Sequence, residues 1–433
     1  MPEWMMINSI EPSYFDEGTC YIAGTKYKTG DFAPYLYKTT DYGKSWEKIT
    51  DGIEAEHFTR VVREDPEKEG LLYAGTETGM YISFDAGENW KPFQLNLPIV
   101  PITDLALKEN NLIVATQGRS LYIIDDLSML HQAIEAEDTD AVHLYKPKDT
   151  YRMDGGSRKS NSAGTNHPSG VMTYFYLPEY DAEKDSISLT YFDAKNDTIK
   201  SYSSKRSDDK LKVKEGANQF NWDMTYDGAE RLPGMILWWA STQGPQQIPG
   251  EYTVKLNVNG TDYTQPYTIL ADPRSEATVA DMQAQFDFIS DVNETVDHAH
   301  QSIKKIRNIN TQLSAFEKQY KDNPDTEELR EKSKTLREDL EEIEKALYQT
   351  KNRSGQDPLN FPIKLTNKLA HLNSLVGMGD FAPTDQDVAV KNELTAKIDA
   401  ELDKFDRLVN DEVAAFNKQF NAMQLNYLFV EEE

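Results

Sequence analysis

The sequence of 433 residues has very little cysteine and no long apolar run. A single cysteine, Cys20, excludes an intrachain disulfide, and its place in the predicted strand CYIAG favours a buried, unreactive thiol over a nucleophile. No stretch approaches the roughly 18 consecutive apolar residues that a membrane-spanning helix needs. We therefore expect neither a membrane span nor support from disulfides.

Basic residues are scarce relative to acidic ones. The chain has 46 Lys and Arg against 73 Asp and Glu, which gives a formal net charge of −27. Nucleic acids and anionic membrane surfaces both select a basic surface, so we expect neither as a partner. The acidic excess is spread along the chain, which favours a role in solubility over a charged tail that binds a partner.

Motifs for cofactors and metals are also missing. There is no glycine-rich phosphate loop. His298 and His300 are two residues apart on a predicted helix, so they lie on different faces and are expected to be solvated rather than to bind zinc. The acidic run EAEDTD at residues 135–140 lacks the glycine and the ligand spacing of a calcium-binding loop. We expect no cofactor and no metal.

What the sequence does contain is a repeated motif of a hydroxyl residue, Asp, Gly and Trp. Its two copies lie 44 residues apart, and their members are Thr39, Asp41, Gly43 and Trp46, then Ser83, Asp85, Gly87 and Trp90. The motif suits a tight hairpin, because Asp accepts hydrogen bonds from turn amides, Gly adopts positive φ and Trp covers the apolar side of the turn. We expect all eight residues to have structural roles.

The repeat length predicts four-stranded blades of a β-propeller. Two alternating apolar segments precede each copy: MMINSIEPS at 5–13 and TCYIAGTKY at 19–27, then HFTRVVRED at 57–65 and GLLYAGTE at 70–77. A third unit at 102–127 lacks the Gly and Trp of the motif. Residues 1–150 are therefore predicted to form a partial propeller of about three blades, two regular and one degenerate.

These segments resemble a known group, the bacterial relatives of sortilin that carry BNR, or Asp-box, repeats and are often labelled glycosyl hydrolases. The resemblance lies in PYLYKTTDYGKSW, LLYAGTETGMYISFDAGENW and VATQGRSLYIIDDLSML, and continues through AVHLYKPKDTYR, GTNHPSGVMTYFYLP and IPGEYTVKLNVNGTDYTQPYTILADPR. It covers most of the chain, strongly to about residue 274. It implies the last blades of a propeller and a location in the periplasm or outside a bacterium of the Bacteroidetes kind.

Three blades cannot close a propeller ring, because rings have about four to eight blades. The opening MPEWMMINS has neither the basic nor the apolar region of a signal peptide. The chain is therefore expected to be the C-terminal part of a larger architecture, with self-association through open blade edges as one way to cover them. A self-sufficient small β domain that covers its edges differently is the alternative.

Residues 151–170 contain a run rich in Gly, Ser and Asn and are predicted to be a linker. Residues 171–274 alternate like an antiparallel β-sandwich, with an Asn-Gly turn at 259–260. By resemblance this is an immunoglobulin-like module of the kind also found in the flagellar hook cap protein. Core packing is expected for at least half of an aromatic group that could otherwise form a carbohydrate platform: Phe220, Trp222, Trp238 and Trp239.

From residue 275 to 433 the apolar period changes to that of amphipathic helices. The pattern predicts a long helix from about residue 279, a second one after NPDTEE at 323–328, a short one near 363–376 and a last one with Thr384 as its N-cap. Short connections predict an antiparallel bundle. Association of the same apolar seam with a second chain remains the alternative.

Asp-boxes also occur in sialidases, so the motif raises the possibility of glycoside hydrolysis. Their chemistry depends on several arginines that hold a substrate carboxylate, with a Tyr nucleophile and an acid. The predicted propeller segment offers three arginines, Arg60, Arg63 and Arg119. An incomplete ring has no central funnel in which they could converge.

The aspartates of this segment are also expected to be structural. Asp41 and Asp85 belong to the turn motif. Asp125 and Asp126 are adjacent, so within a strand they would point to opposite faces and could not form an acid and base pair. We predict no catalytic residue in this chain.

Two functions remain. The favoured one is a non-catalytic recognition or scaffolding protein, the C-terminal portion of a sortilin-like propeller protein that binds peptide, protein or glycan ligands. The alternative is a fragment of a sialidase-like glycosyl hydrolase whose active residues lie in missing blades.

Overall fold

The computed structural model describes residues 1–135, 141–153 and 164–425. The described chain is mixed: antiparallel sheets dominate its first two thirds, and helices form the rest. Residues 154–163, which are half of the predicted linker, and residues 136–140 of the EAEDTD segment lie outside the described residues. In the part of the chain that is described, no helix is long and apolar enough to cross a membrane.

Three small sheets come first, and strands within each are antiparallel and in chain order. The first contains β1 (Met6–Pro12), β2 (Cys20–Lys26), β3 (Asp31–Thr39) and β4 (Glu47–Lys48). The second contains β5 (Thr59–Glu64), β6 (Leu72–Thr76), β7 (Met80–Ser83) and β8 (Lys91–Pro92). The third contains β9 (Ile102–Lys108), β10 (Asn111–Thr116) and β11 (Leu121–Ile124).

Apolar layers join these sheets face to face. The layer between the first and second sheets includes Tyr21, Ala23, Leu36, Val62, Leu72 and Trp90. The layer between the second and third sheets includes Val61, Tyr73, Met80, Ile102, Leu112 and Val114. Because side chains alternate along a strand, the second sheet contributes to both layers.

A short helix, α1 (Ser128–Glu135), leads to a second β region. Its strands are β12 (His143–Leu144), β13 (Thr150–Arg152), β14 (Val171–Leu177), β15 (Ile187–Phe192), β16 (Thr198–Ser203), β17 (Gly216–Trp222), β18 (Gly250–Val258) and β19 (Thr261–Ala271). They form two sheets, ordered β12-β14-β17 and β13-β19-β18-β15-β16, with a shared apolar core.

The strands within residues 171–274 lie close to where the alternation predicts them. The Asn-Gly turn is confirmed: Asn259 and Gly260 have φ of 52° and 94° and join β18 to β19. Within residues 171–274 the named strands pair antiparallel, as the alternation predicts, and β13, which lies before this segment, adds a parallel pairing with β19 at one edge. This pairing is possible because β13 enters the sheet from a distant part of the chain rather than through a hairpin.

The helical region contains α2 (Val279–Gln319), α3 (Glu327–Leu347), α4 (Leu365–Val376), α5 (Asp385–Arg407) and α6 (Ala414–Ala422), with a π-helical turn at Leu408–Val413 between the last two. Thr384 caps α5 through a reciprocal pair of hydrogen bonds with Asp387, as the sequence predicts. Glu317 accepts from Arg337, and Glu344 accepts from Arg307, so α2 and α3 are antiparallel.

One segment packs far from its neighbours in sequence. Residues 227–247 lie between β17 and β18 in the chain, yet Ala229, Leu232 and Met235 belong to the apolar core of the helices. The Ile236 amide donates to the Tyr348 hydroxyl at 2.9 Å. The sequence gives no signal for this packing, because the segment has no periodicity.

Candidate functional site

The first motif folds as a closed turn held by Thr39 and Asp41. Thr39 Oγ1 donates to Asp41 Oδ1 at 2.8 Å and accepts from the Gly43 amide at 2.9 Å. Asp41 accepts from the Ser45 amide at 2.9 Å and from its hydroxyl at 2.6 Å. Both Tyr42 and Gly43 have positive φ, at 62° and 79°, so the turn needs two successive left-handed residues, one of which is not glycine.

The second motif repeats this arrangement. Ser83 Oγ donates to Asp85 Oδ1 at 2.7 Å and accepts from the Gly87 amide at 2.9 Å. Asn89 replaces the serine, and its amide and side chain both donate to Asp85 at 2.8 Å. Ala86, with φ of 57°, takes the place of Tyr42 as the left-handed residue before the glycine, and Gly87 has φ of 93°. The two sequences therefore form the same hydrogen-bonded turn.

The carboxylates of both turns are kept ionised by their own turns. Hydrogen bonds from Ser45, followed by the one from Thr39, lower the pKa of Asp41 to about 2. Burial acts to raise the pKa of Asp85, but the hydrogen bonds from Asn89 and Ser83 outweigh it and lower that pKa. A general acid or base needs a pKa near the working pH. Neither carboxylate suits that task.

The two motif tryptophans differ in their surroundings. Trp90 is buried against the first sheet, where its Nε1 donates to the Ile49 carbonyl at 2.9 Å and its amide donates to the Asp51 carbonyl at 2.8 Å. Trp46 is only partly buried, and its Nε1 donates to Gly43 in its own turn at 3.1 Å. The same sequence position thus joins two sheets in one copy and closes its own turn in the other.

The three arginines do not form a common carboxylate-binding site. Arg60 pairs with Glu77 at 2.5 Å. Arg63 pairs with Asp104 at 2.7 Å, so both of these guanidinium groups are already engaged by protein carboxylates. Arg119 is exposed in the turn between β10 and β11. Sialidase-type recognition, which requires converging arginines, finds no support in this arrangement.

Arg63 belongs instead to a charged seam formed by Glu11, Arg63 and Asp104. Each residue lies on the first strand of one of the three sheets. Arg63 contacts Glu11 at 3.5 Å on one side and Asp104 on the other, and its Nε donates to the Leu105 carbonyl at 2.9 Å. The seam therefore ties three successive sheets together.

Glu11 is the titratable group of the seam whose environment is most unusual. Burial raises the pKa of this carboxyl, against the opposing effect of Arg63. Raised carboxyl pKa values are common in general acids. Here Glu11 has only 8% of its surface exposed, and the guanidinium of its partner Arg63 already bonds to the Leu105 carbonyl and to Asp104. The arrangement suits cohesion between sheets better than chemistry.

Sequence reasoning missed the seam of Glu11, Arg63 and Asp104, although Glu11 and Arg63 occupy equivalent positions in the two repeats. Glu11 pairs across its sheet with Tyr21, and Arg63 pairs with Tyr73. Alignment of the two repeats by strand register therefore places Glu11 and Arg63 at equivalent positions. The motif spacing alone does not show this, because the connections between strands differ in length.

Asp125 and Asp126 do not lie within a strand. The strand β11 ends at Ile124, so the alternation that would place them on opposite faces does not apply, and both line one cleft of about 440 Å³. Asp126 accepts from the Ser128 amide at 2.9 Å at the start of α1, which agrees with a capping role.

The prediction of solvated histidines is wrong for one of the pair. His298 is exposed, but His300 is fully buried, and its Nδ1 lies 2.6 Å from the Glu230 carbonyl. Burial lowers the pKa of His300. The helix alone could not reveal this, because segment 227–247 covers that face. Among the described residues, no group of three or more His, Cys, Asp or Glu side chains could hold a metal ion.

No protein-family model and no curated protein matches this sequence. Similar solved structures include a GH74 enzyme from Niastella koreensis, with 11% identity, a TM-score of 0.24 and coverage of 60% of this chain and 38% of that chain. They also include the GH74 xyloglucanase from Xanthomonas campestris, with 12% identity, a TM-score of 0.21 and coverage of 60% of this chain and 38% of that chain. A third is an ancestral GH74 enzyme, with 12% identity, a TM-score of 0.22 and coverage of 61% of this chain and 35% of that chain.

The chain thus corresponds to well under half the length of each of these enzymes. At such low TM-scores the likeness carries no argument about function. The resemblance to sortilin-like proteins stays a prediction.

Proposed function

We propose that this chain is a non-catalytic recognition or scaffolding protein. In this proposal the three N-terminal sheets are blades of a β-propeller, the second β region is an immunoglobulin-like spacer, and the protein acts in the periplasm or outside the cell. The observation that carries the proposal is the outward face of the first sheet, where apolar residues of β1 are exposed and no sheet among the described residues covers them.

Strand register defines that face. Across the first sheet, one row of paired residues is Ile10, Ile22 and Tyr37. Across the second sheet, the equivalent row is Val62, Ala74 and Tyr81. The rows are equivalent because Tyr37 and Tyr81 each lie two residues before the hydroxyl residue of the turn motif, Thr39 or Ser83.

The two rows differ at their first position. Val62 packs against the first sheet with none of its surface exposed, whereas Ile10 has 62% exposed, although Ile22 and Tyr37 in the same row are buried. Ile7, on the same face, and the nearby Trp4 are exposed as well. A group of exposed apolar side chains on a strongly charged chain is typical of a protein interaction site. The partner proposed for this face is another sheet of the same kind.

The chain itself carries a surface of that kind. On the third sheet, Leu121 and Ile123 alternate along β11 and are exposed, while Tyr122 and Ile124 pack toward the second sheet. The free face of the third sheet could therefore receive the first sheet of a second copy, in the order in which the sheets follow one another within one chain.

The test is sedimentation velocity on the purified chain between about 1 and 100 µM, a range in which moderate interfaces dissociate. We expect association that increases with concentration and that Ile10→Glu and Leu121→Glu each abolish, because a charge in an apolar interface is costly to bury. Leu359→Glu is the matched control, since Leu359 is equally exposed but lies in the helical region.

Two results would contradict the proposal. One is a chain that stays monomeric over the whole range. The other is hydrolysis of aryl glycosides or sialosides that disappears in Arg63→Ala or Arg60→Ala while the variant remains folded by circular dichroism, which would favour a glycosyl hydrolase.

A further inference from the structure

His300 on α2 is a fully buried imidazole whose two nitrogens are in different situations. Its Nδ1 lies 2.6 Å from the Glu230 carbonyl oxygen. A carbonyl oxygen can only accept, so Nδ1 carries the ring proton and Nε2 is the unprotonated nitrogen. Nε2 is buried, and none of the described residues bonds to it. A second proton on this ring would therefore create a buried, charged N–H group without an acceptor.

The Glu230 carbonyl belongs to segment 227–247, so His300 also fastens that segment to α2. One turn earlier on α2, Asp297 accepts from the Glu230 amide at 2.7 Å. The two sides share one apolar core, which includes Ala229, Leu232 and Met235 of the segment and Val296, Ala299 and Ile303 of α2. Among the described residues, the segment supplies the hydrogen bond to the ring, so its displacement would free the imidazole.

The charged groups nearest to the ring do not compensate for its burial. Burial is the largest effect on the pKa of His300 and lowers it. Asp297 and Glu230 favour the protonated ring, and Arg231 opposes it. The Glu230 carboxylate is shared with Lys304, which lies 3.0 Å away. The neutral imidazole is therefore the form that the closed contact selects.

The other helices of this core bring little charge to the contact. The buried residues of α4 and α5 are uncharged. On α3 the buried charged residue is Glu344, and its carboxylate accepts from Arg307 at 2.8 Å. In the part of the chain that the structure describes, these helices thus supply no free carboxylate to receive a proton from Nε2.

The later part of segment 227–247 is held differently. Asn367, which does not titrate, bonds to both backbone groups of Trp238. His371 bonds to the Trp239 carbonyl, but this ring is only partly buried, so water can solvate it when it is protonated. Acid should therefore loosen the part of the segment near His300 and leave the part near Asn367 in place.

We propose that protonation of His300 releases the first part of segment 227–247 from α2, so that mild acid opens this contact while the sheets stay folded. In the open form the ring meets water and has its ordinary pKa of about 6.5. Because the pKa is lower in the closed form, the contact is most stable above about pH 6.5 and weakens as the pH falls toward the lower value. This inference is independent of the sheet interface proposed above.

The test measures how fast a buried thiol reacts with 4,4′-dithiodipyridine between pH 5 and pH 7.5. Ala229→Cys, in a chain that also carries Cys20→Ser, places this thiol under the segment, where Ala229 is buried. Each rate is divided by that of the same chain unfolded in urea at the same pH. We expect the normalised rate to increase at least about tenfold from pH 7.5 to pH 5, because opening is linked to uptake of one proton.

Three further variants locate the effect. His300→Asn keeps an N–H donor near the position of Nδ1 but does not titrate, so it should remove the pH dependence. His371→Asn is the matched control and should leave the pH dependence unchanged. Ala74→Cys, with Cys20→Ser, places a thiol in the fully buried core of the sheets and should stay unreactive over the same range.

A normalised rate that is constant from pH 7.5 to pH 5 would overturn the inference, as would a pH dependence that His300→Asn leaves intact. An equal increase in Ala74→Cys would also overturn it, because the whole chain would then be unfolding. NMR of the histidine rings in the unsubstituted protein is a check that needs no variant. The His300 ring should titrate below pH 6.5, and a ring that titrates at the ordinary value would contradict the inference.

Discussion

At the residue scale, buried polar side chains that join distant segments carry the most information. Asp65 has 1% of its surface exposed, and its carboxylate accepts from His131 at 2.8 Å, from the Tyr73 hydroxyl at 3.2 Å and from the Glu67 amide at 2.9 Å. The first of these bonds fastens α1 to the second sheet. Burial acts to raise the pKa of Asp65, but the hydrogen bonds, led by that of His131, lower it.

The lowered pKa predicts a specific pH dependence for Asp65→Asn. The folded pKa lies below the unfolded value of about 3.9, so the carboxylate stabilises the fold above that pH, and the contribution is lost as the pH falls through the folded pKa. At pH 7 we expect the substitution to lower the free energy of unfolding by about 1–3 kcal/mol. The difference from the parent chain should shrink below about pH 4.

Urea unfolding followed by tryptophan fluorescence at several pH values would measure this effect. Asp51→Asn is the control, since the Asp51 side chain is exposed and its contact with the second sheet is made by the backbone carbonyl. A loss of stability in Asp65→Asn that is the same at pH 3 and pH 7 would show that the ionised form is not what stabilises the fold.

At the element scale, the contact between the first two sheets depends on a close backbone approach. The Trp90 amide donates to the Asp51 carbonyl, and an added Cβ on Gly52 would lie 2.1 Å from the Trp90 carbonyl oxygen. Gly52 also has a φ of 92°. The chain that leaves the first sheet must therefore lie directly on the second turn motif, and only glycine permits it.

Gly52→Ala should destabilise the protein more than Gly30→Ala. Both positions have positive φ, but a Cβ on Gly30 has no described atom within 4 Å. Both variants should show the cost of a left-handed alanine, about 1 kcal/mol, and Gly52→Ala should lose about 2 kcal/mol more because of the steric clash. Thermal unfolding by circular dichroism measures the difference, and equal losses would mean that the sheets can separate at this point without cost.

At the scale of the whole molecule, Arg152 connects the second β region to the helices. Its guanidinium is 3% exposed and bonds to Asp380, to Gln285 Oε1 at 2.9 Å and, through Nε, to the Gln247 carbonyl at 3.0 Å. Gln285 in turn donates to the Val376 carbonyl at 2.8 Å. One side chain at the end of β13 thus bonds to α2, to the residues after α4 and to segment 227–247.

Arg152→Met should therefore loosen the association between these regions. Removal of one partner of a buried ion pair costs about 3–5 kcal/mol, and because Asp380 is partly exposed we expect the lower end of that range. Hydrogen exchange measured by mass spectrometry should show faster exchange at residues 376–380 and in β13. Arg274→Met is the control, because the Arg274 side chain is 69% exposed, so its ion pair with Asp272 should contribute less than that of Arg152. Unchanged exchange in Arg152→Met would show that apolar contacts alone hold the regions together.

The sequence by itself determined the local elements and their order. Alternating residues in YTVKLNV predict a strand, the Asn-Gly pair predicts its hairpin, and Thr384 predicts the start of α5, because each depends on contacts between residues near in sequence. The Asp, Gly and hydroxyl positions of the repeated motif likewise form turns whose hydrogen bonds span at most four residues.

Only the tertiary structure decided which elements meet. The seam of Glu11, Arg63 and Asp104 joins three sheets, His300 is buried because segment 227–247 covers its helix, and Arg152 bonds to Asp380, which lies 228 residues later in the sequence. No local pattern encodes these contacts. They arise because each sheet and helix has to bury its apolar face against another element, and the polar groups carried along then find their partners.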